Sequence, residues 1–223
     1  MAEHELGFLT APFVDLEEAL EVARATGART LELAHADVDR VREAGCEVAA
    51  LARYGDWAGL EPHIRLAAEQ GVPVVSTLAG FPEDATRLSA LLGTAVALAG
   101  ELRVTLAFEN WYRTNLRTPA DWRVFFETFP EEHVGLVFDP SHLEWQGLDW
   151  RAALREFGDR IVFAHAKDVA YDDAGAWRYV LPGRGVIDWG DFTELYDGFV
   201  SIEHEDDEYG AADGIAFAVE HLR

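Results

Sequence analysis

The 223-residue chain has little positive charge: 18 lysines and arginines stand against 41 aspartates and glutamates, a formal net charge of −23. Such a surface repels phosphate backbones and offers no broad basic stripe for counterion release, which excludes DNA and RNA as expected partners. Lysine is scarcer still and occurs only at Lys167. Acid excess with almost no lysine also suits a salt-rich cytoplasm, where ionic strength screens self-repulsion. The single cysteine, Cys46, excludes an internal disulfide, and no apolar run approaches the length of a membrane span. With no basic-plus-apolar leader, the expected setting is a reducing cytoplasm without a membrane partner.

What the chain does contain is one repeated unit. A length of 223 residues suits one well-buried core, so residues 1–223 are read as a single domain. Short apolar runs alternate with amphipathic stretches, the pattern of strands and crossover helices in a parallel sheet. In the first unit "LGFLT" reads as a strand. Asp15 with Glu18 offers a helix start, Leu16, Ala19, Leu20 and Ala23 form an apolar face, and Gly27 ends the helix.

Further strands are read at "RTLELA", "CEVAAL", "PVVSTL", "RVTLAFE", "HVGLVFD", "RIVFAHA" and "GFVSIEH", with a helix as the alternative reading for the third strand of the series. Eight units of about 28 residues each predict an α/β fold of the (β/α)8 TIM barrel type. An open doubly wound sheet is the alternative, but no glycine-rich turn follows the first strand.

Side-chain parity then selects the residues that face the barrel axis. In the fifth strand Val104, Leu106 and Phe108 suit the helix side, turning Thr105, Ala107 and Glu109 inward. In the sixth, Leu136 and Phe138 face out while Val137 and Asp139 face in. In the seventh, Val162, Ala164 and Ala166 face out while Phe163, His165 and Lys167 face in; in the eighth, Val200 and Ile202 face out while Ser201 and Glu203 face in.

Four consecutive strands thus present Glu109, Asp139, His165 and Glu203 inward at their carboxyl ends, where the active sites of such barrels lie. Three carboxylates crowded into one mouth repel each other unless a cation sits among them. One divalent metal is therefore expected, and an oxygen-rich set with one imidazole suits Mn, Mg, Co or Zn.

With these residues in place, the motifs "LAFENW", "FDPSH", "AHAKD", "GRGVIDW" and "SIEHED", spanning residues 104–206, resemble the xylose isomerase-like TIM barrel superfamily of sugar phosphate isomerases and epimerases. The first hundred residues agree with that group in layout alone. The resemblance implies a metal on Glu109, Asp139, His165 and Glu203, with His142 of "DPSH" contacting a substrate oxygen. Lys167 falls on the lysine of the family's "HxK" pattern, where a compact ammonium fits a tight interior better than a planar guanidinium and can neutralise a carboxylate or a substrate oxyanion. Trp111 and Trp145 are candidate apolar walls for a sugar ring. Arg184 of "LPGRGVIDW" is a candidate contact to an anionic substrate group. That loop is equally readable as a structural turn in which Asp188 caps, and Trp189 anchors, the next helix.

The implied chemistry is isomerisation or epimerisation of a hydroxycarbonyl sugar or sugar phosphate through an enediolate, with Glu109 and Glu203 moving the proton on opposite faces. Tagatose 3-epimerases carry a glutamate and an arginine where this chain has Asn115 and Tyr171, so the particular sugar does not transfer. A dehydratase of the inosose type would share the first proton abstraction. An endonuclease IV-like nuclease is a rival short of histidines, with only His35 near an early strand end, and a non-catalytic sugar- or metal-binding barrel is another. Arg113 and Arg117 are candidate phosphate ligands or surface ion-pair partners. His63, His133, His204 and His221 are read as structural or surface residues. The expected partner is a small sugar or polyol, and association into a homo-oligomer is left open.

Overall fold

The computed structural model describes residues 5–34, 37–54, 59–80 and 88–223. His35 lies outside them. Strands β1 (Leu6–Leu9), β2 (Thr30–Leu33), β3 (Glu47–Arg53), β4 (Val74–Leu78), β5 (Thr105–Glu109), β6 (Val134–Phe138) and β7 (Ile161–Ala166) are followed by a hairpin of β8 (Asp168–Tyr171) and β9 (Trp177–Val180), then β10 (Val200–Ile202). The first seven and β10 close into a parallel barrel, in which β1 pairs with both β2 and β10. Each of the eight expected strand segments is a barrel strand, the "CEVAAL" segment included.

Helices α1 (Leu16–Thr26), α2 (Val38–Glu43), α3 (Leu60–Gln70), α4 (Leu88–Leu102), α5 (Pro119–Thr128), α6 (Ser141–Glu144), α7 (Trp150–Phe157), α8 (Trp189–Leu195) and α9 (Ala211–Leu222) lie between or after the strands. Local chemistry sets their ends. Asp15 accepts from the Glu18 amide at 2.9 Å to start α1, and Gly27, at φ 72°, ends it in the left-handed region that favours glycine. Thr118 and Asp121 cap α5 reciprocally, with Pro119 in its first turn. Asp188 accepts from the Asp191 amide and starts α8.

The parity reading separates two packed layers. Leu106, Phe108, Leu136, Phe138, Ala164, Ala166, Val200 and Ile202 join the helices in the larger core. Ala50, Val74, Ala107, Val137 and Phe163 fill the barrel interior. Val162 departs from its expected outward place: half-buried, it packs against the interior cluster. The register explains this, because Leu136 pairs with Ile161 while the next residue, Val137, pairs with Phe163. The extra residue makes a bulge that re-aims Val162.

The hairpin was absent from the expected pattern. Its turn is built by Asp172, whose carboxylate accepts from the amides of Ala174 at 2.9 Å and Ala176 at 2.8 Å, with Gly175 at φ 81°. The signal in "DVAYDDAGAWRYV" is two short runs of strand formers around an acidic, glycine-containing turn.

Candidate metal centre

The barrel gathers Glu109, at the end of β5, Asp139, just past β6, His165, on β7, and Glu203, just past β10. One potential ligand atom from each lies within 4.8 Å of all the others. Asp139 and His165 are fully buried, Glu109 is nearly so, and the Glu203 side chain is 12% exposed.

Each side chain is aimed by neighbours. The Asn110 side chain brackets the backbone of Asp139, accepting from its amide at 2.6 Å and donating to its carbonyl at 2.9 Å. Oδ1 of Asp139 accepts from the Ser141 amide at 2.8 Å, which leaves Oδ2 to face the cluster. His142, one turn on, points Nε2 at Glu109 Oε1 (3.1 Å) and at Asp139 Oδ2 (3.4 Å). Pro140 caps the short helix α6, which carries His142 back to Asp139 just before it.

Asp139 Oδ2 and His165 Nδ1 are both sealed from solvent without a hydrogen bond of acceptable geometry. They do lie 3.1 Å from Lys167 Nζ and from Glu203 Oε2, respectively, as ion-pair contacts. Contact without alignment leaves lone pairs unspent, and such atoms in a native interior need an explanation. Three carboxylates, one imidazole and two unspent ligand atoms fit a divalent cation.

Electrostatics support the same picture. Burial alone would raise the Glu109 carboxyl, but the hydrogen bond with His142 and the nearby His165 ring and Lys167 ammonium hold it well below the usual range. Burial, the largest single effect, opposes ionisation of Glu203, yet Lys167 and His165 together outweigh it and bring the group to about 2. For His165, burial disfavours the charged ring, but the carboxylates of Glu32, Glu203 and Glu109 raise it well above the ordinary imidazole value. Lys167 behaves alike: burial opposes its charge, and Glu203, Asp139, Glu109 and Glu205 keep the ammonium firmly protonated.

Lys167 sits at the centre of this field, 2.7 Å from Glu203 Oε2 and 4.9 Å from the centroid of the Tyr179 ring. A cavity of about 400 Å³ adjoins the cluster, lined by Glu109, Glu203, Glu205, Lys167, Tyr54 and Trp111 among others. Trp111 is therefore at the site. Trp145 packs instead in an aromatic cluster, stacked on Trp177 of the hairpin at 4.9 Å and 17° and edge-on to Tyr112.

Arg184 is not brought to this cluster. Its guanidinium lies over the rings of Phe217 (4.5 Å) and Tyr209 (4.8 Å) and donates to the Tyr209 hydroxyl. The cause is the fully buried Asp168. Its carboxylate accepts from the amides of Val169, Gly183, Gly185 and Ile187 and from Trp189 Nε1, at 2.8–3.2 Å. The "GRGVIDW" segment folds around that acceptor and carries Arg184 outward. The turn reading thus matches the geometry: Asp188 caps α8, and Trp189 is buried.

The alternation that turns residues of β5, β6, β7 and β10 inward holds in β2 as well, where the sequence expectation names no site residue. In β2, Leu31 and Leu33 join the outer core, so Glu32 points to the axis, where it is fully buried. Tyr54, Ser76 and Ser201 donate to it. Tyr179 was also missed: its hydroxyl lies 3.3 Å from His142 Nδ1, a contact made through the unrecognised hairpin.

Comparison with known proteins agrees with the barrel. An inosose dehydratase of Geobacillus thermodenitrificans is 28% identical over 130 residues, 49% of this chain and 43% of that protein. The chain spans less than half the length of the curated relatives it matches. Among solved structures, the probable 3-DHS dehydratase AsbF from Bacillus anthracis superposes with a TM-score of 0.81 at 15% identity, covering 97% of this chain and 98% of that one. The IolI protein with a bound zinc atom gives 0.78 at 20% (97% and 95% covered), and an L-ribulose 3-epimerase 0.74 at 19% (97% and 91%). At these identities the superpositions speak for the fold alone. Because the family model for the xylose isomerase-like TIM barrel matches residues 29–223 and the barrel closes as that description requires, this chain belongs to the xylose isomerase-like TIM barrel family.

Proposed function

We propose that the protein is a metal-dependent sugar isomerase or epimerase that moves a proton at the carbon beside a hydroxycarbonyl group. The observation that carries this reading is the convergence of Glu109, Asp139, His165 and Glu203 within 4.8 Å beside a cavity of about 400 Å³. One divalent cation, Mn, Mg, Co or Zn, would be held by these four, and when bound it supplies a Lewis acid that makes the neighbouring C–H acidic.

The chain's own groups divide the remaining work. Glu109 and Glu203 are ionised by their surroundings and both line the cavity, so each has an oxygen available to take or return a proton. His142, whose Nε2 lies 3.1 Å from Glu109 Oε1, would contact a substrate oxygen beside the metal. Lys167 offsets the negative charge of the pair, and Trp111 offers an apolar wall against which a sugar face can pack. The single, buried Cys46 supports a reducing, cytoplasmic setting.

The test is a keto-sugar screen in deuterated water after metal analysis of the purified protein. Wild type should incorporate solvent deuterium into a product that is otherwise an isomer of the substrate, with no loss of water, and Glu203→Gln should lower incorporation about 100-fold or more while remaining folded. Undiminished exchange in that variant would remove Glu203 from the proton transfer.

A second reading, a dehydratase of the inosose type, is favoured by the inosose dehydratases among the relatives. It shares the proton abstraction and then expels hydroxide, which leaves as water with a proton from the enzyme. A product lighter by one water would select it.

A further inference from the structure

Glu32 occupies a place that the proton chemistry does not use. It is fully buried at the end of β2, on the opposite side of His165 from the metal-ligand cluster. Four donors reach it from four strands or strand ends. Oε1 accepts from Tyr54 at 2.7 Å and Ser76 at 2.6 Å, and Oε2 accepts from Ser201 at 2.9 Å and lies 2.8 Å from His165 Nε2. A carboxylate so surrounded acts as an acceptor throughout, and a carboxylate has about four lone-pair sites to spend.

The consequence falls on His165. Its ring presents Nε2 to Glu32 and Nδ1 to Glu109 and Glu203, 3.7 Å and 3.1 Å away. If Nε2 must donate to Glu32, a neutral ring has its proton there and its lone pair on Nδ1, the atom found buried without a hydrogen bond. Parallel pairing puts Ser201 level with His165, so the strand that supplies Glu203 also braces Glu32.

We infer that Glu32 is a positioning residue that sets the His165 tautomer, leaving Nδ1 as the metal ligand and coupling β2, β3 and β4 to a centre whose ligands come from the other half of the barrel. The inference rests on the metal reading above and deepens it. Glu32 touches neither the proposed cation nor the substrate; it acts through the ring.

The experiment uses zinc, which is diamagnetic, with the full chain labelled at histidine nitrogen. In the zinc-loaded wild type, His165, assigned by the loss of its signals in His165→Gln, should show a protonated Nε2 and a metal-bound Nδ1. Zinc affinity, measured by competition with a chromophoric chelator, should fall about 10–100-fold in Glu32→Gln, whose side chain keeps its shape. Ser76→Ala removes a donor from the Oε1 side alone and should change affinity by less than about threefold, as expected if the effect passes through the ring.

A folded Glu32→Gln with wild-type zinc affinity would overturn the inference. So would a wild-type spectrum with the proton on Nδ1, a result that stands even if the variant fails to fold. Failure of the wild type to bind zinc, manganese or cobalt would instead strike the metal reading itself, and this inference would fall with it. The two failures are distinguishable, because the first needs a wild type that binds.

Discussion

The ammonium of Lys167 lies 2.7 Å from Oε2 of Glu203, tying the end of β7 to the end of β10 at the mouth of the barrel. The same nitrogen is 3.1 Å from Asp139 Oδ2, and its side chain is only 2% exposed. Removing one partner of a buried ion pair leaves the rest uncompensated, at about 3–5 kcal/mol. Lys167→Met should therefore lower the thermal midpoint of the metal-free protein sharply, and added Mn or Zn should restore part of the loss by binding the native state. An unchanged midpoint without metal would show that Lys167 does not hold the carboxylates together.

Proton release gives a second check. In the metal-free protein the surrounding carboxylates raise His165 above the ordinary imidazole value despite its burial, so the ring is protonated at neutral pH. A metal needs the neutral ring, so binding should expel about one proton, and affinity should climb with pH until the raised value is passed. Glu109 and Glu203 are already ionised at neutral pH and add nothing there. Calorimetry in buffers of different ionisation enthalpy counts the protons, and a count of zero at neutral pH would contradict the assignment.

Asp168 predicts a stability effect away from the metal. Five N–H groups converge on its carboxylate. Asp168→Asn replaces an acceptor-only group with one that carries donors, so it should destabilise the protein on the order of 3 kcal/mol. Gly185→Ala should do comparable damage, because a Cβ would stand 2.1 Å from Asp168 Oδ1 and 2.3 Å from the Val169 carbonyl oxygen. Denaturant titration measures both, and wild-type stability for the pair would contradict this account of the loop.

Arg184 separates sequence motif from site. Its guanidinium is engaged with Tyr209 and Phe217, so Arg184→Ala should cost about 0.5–1 kcal/mol of stability. It should leave zinc affinity and the substrate KM unchanged. A raised KM for a phosphorylated sugar alone would return Arg184 to the binding site.

Much of this molecule was legible before any coordinates. Bulky aliphatics on one parity of each strand can lie only against the helices, so Glu109, Asp139, His165 and Glu203 were assigned to the axis by their neighbours in the chain. The motifs from β5 onward carry the family, while the first hundred residues carry layout. Glu32 of "RTLELA" stands inward on β2 by the same alternation, but no motif marks it and its partners Tyr54, Ser76, His165 and Ser201 are far along the chain.

What residue order determined is the barrel, the phase of its strands and the four candidate ligands, because all depend on local periodicity and on the alternation that a pleated backbone imposes. What only the tertiary structure decided is the bulge that turns Val162, the hairpin that brings Tyr179 to His142, the withdrawal of Arg184 and the four donors around Glu32. Those depend on groups far apart in the chain competing for the same acceptor or the same space, which short-range pattern does not encode.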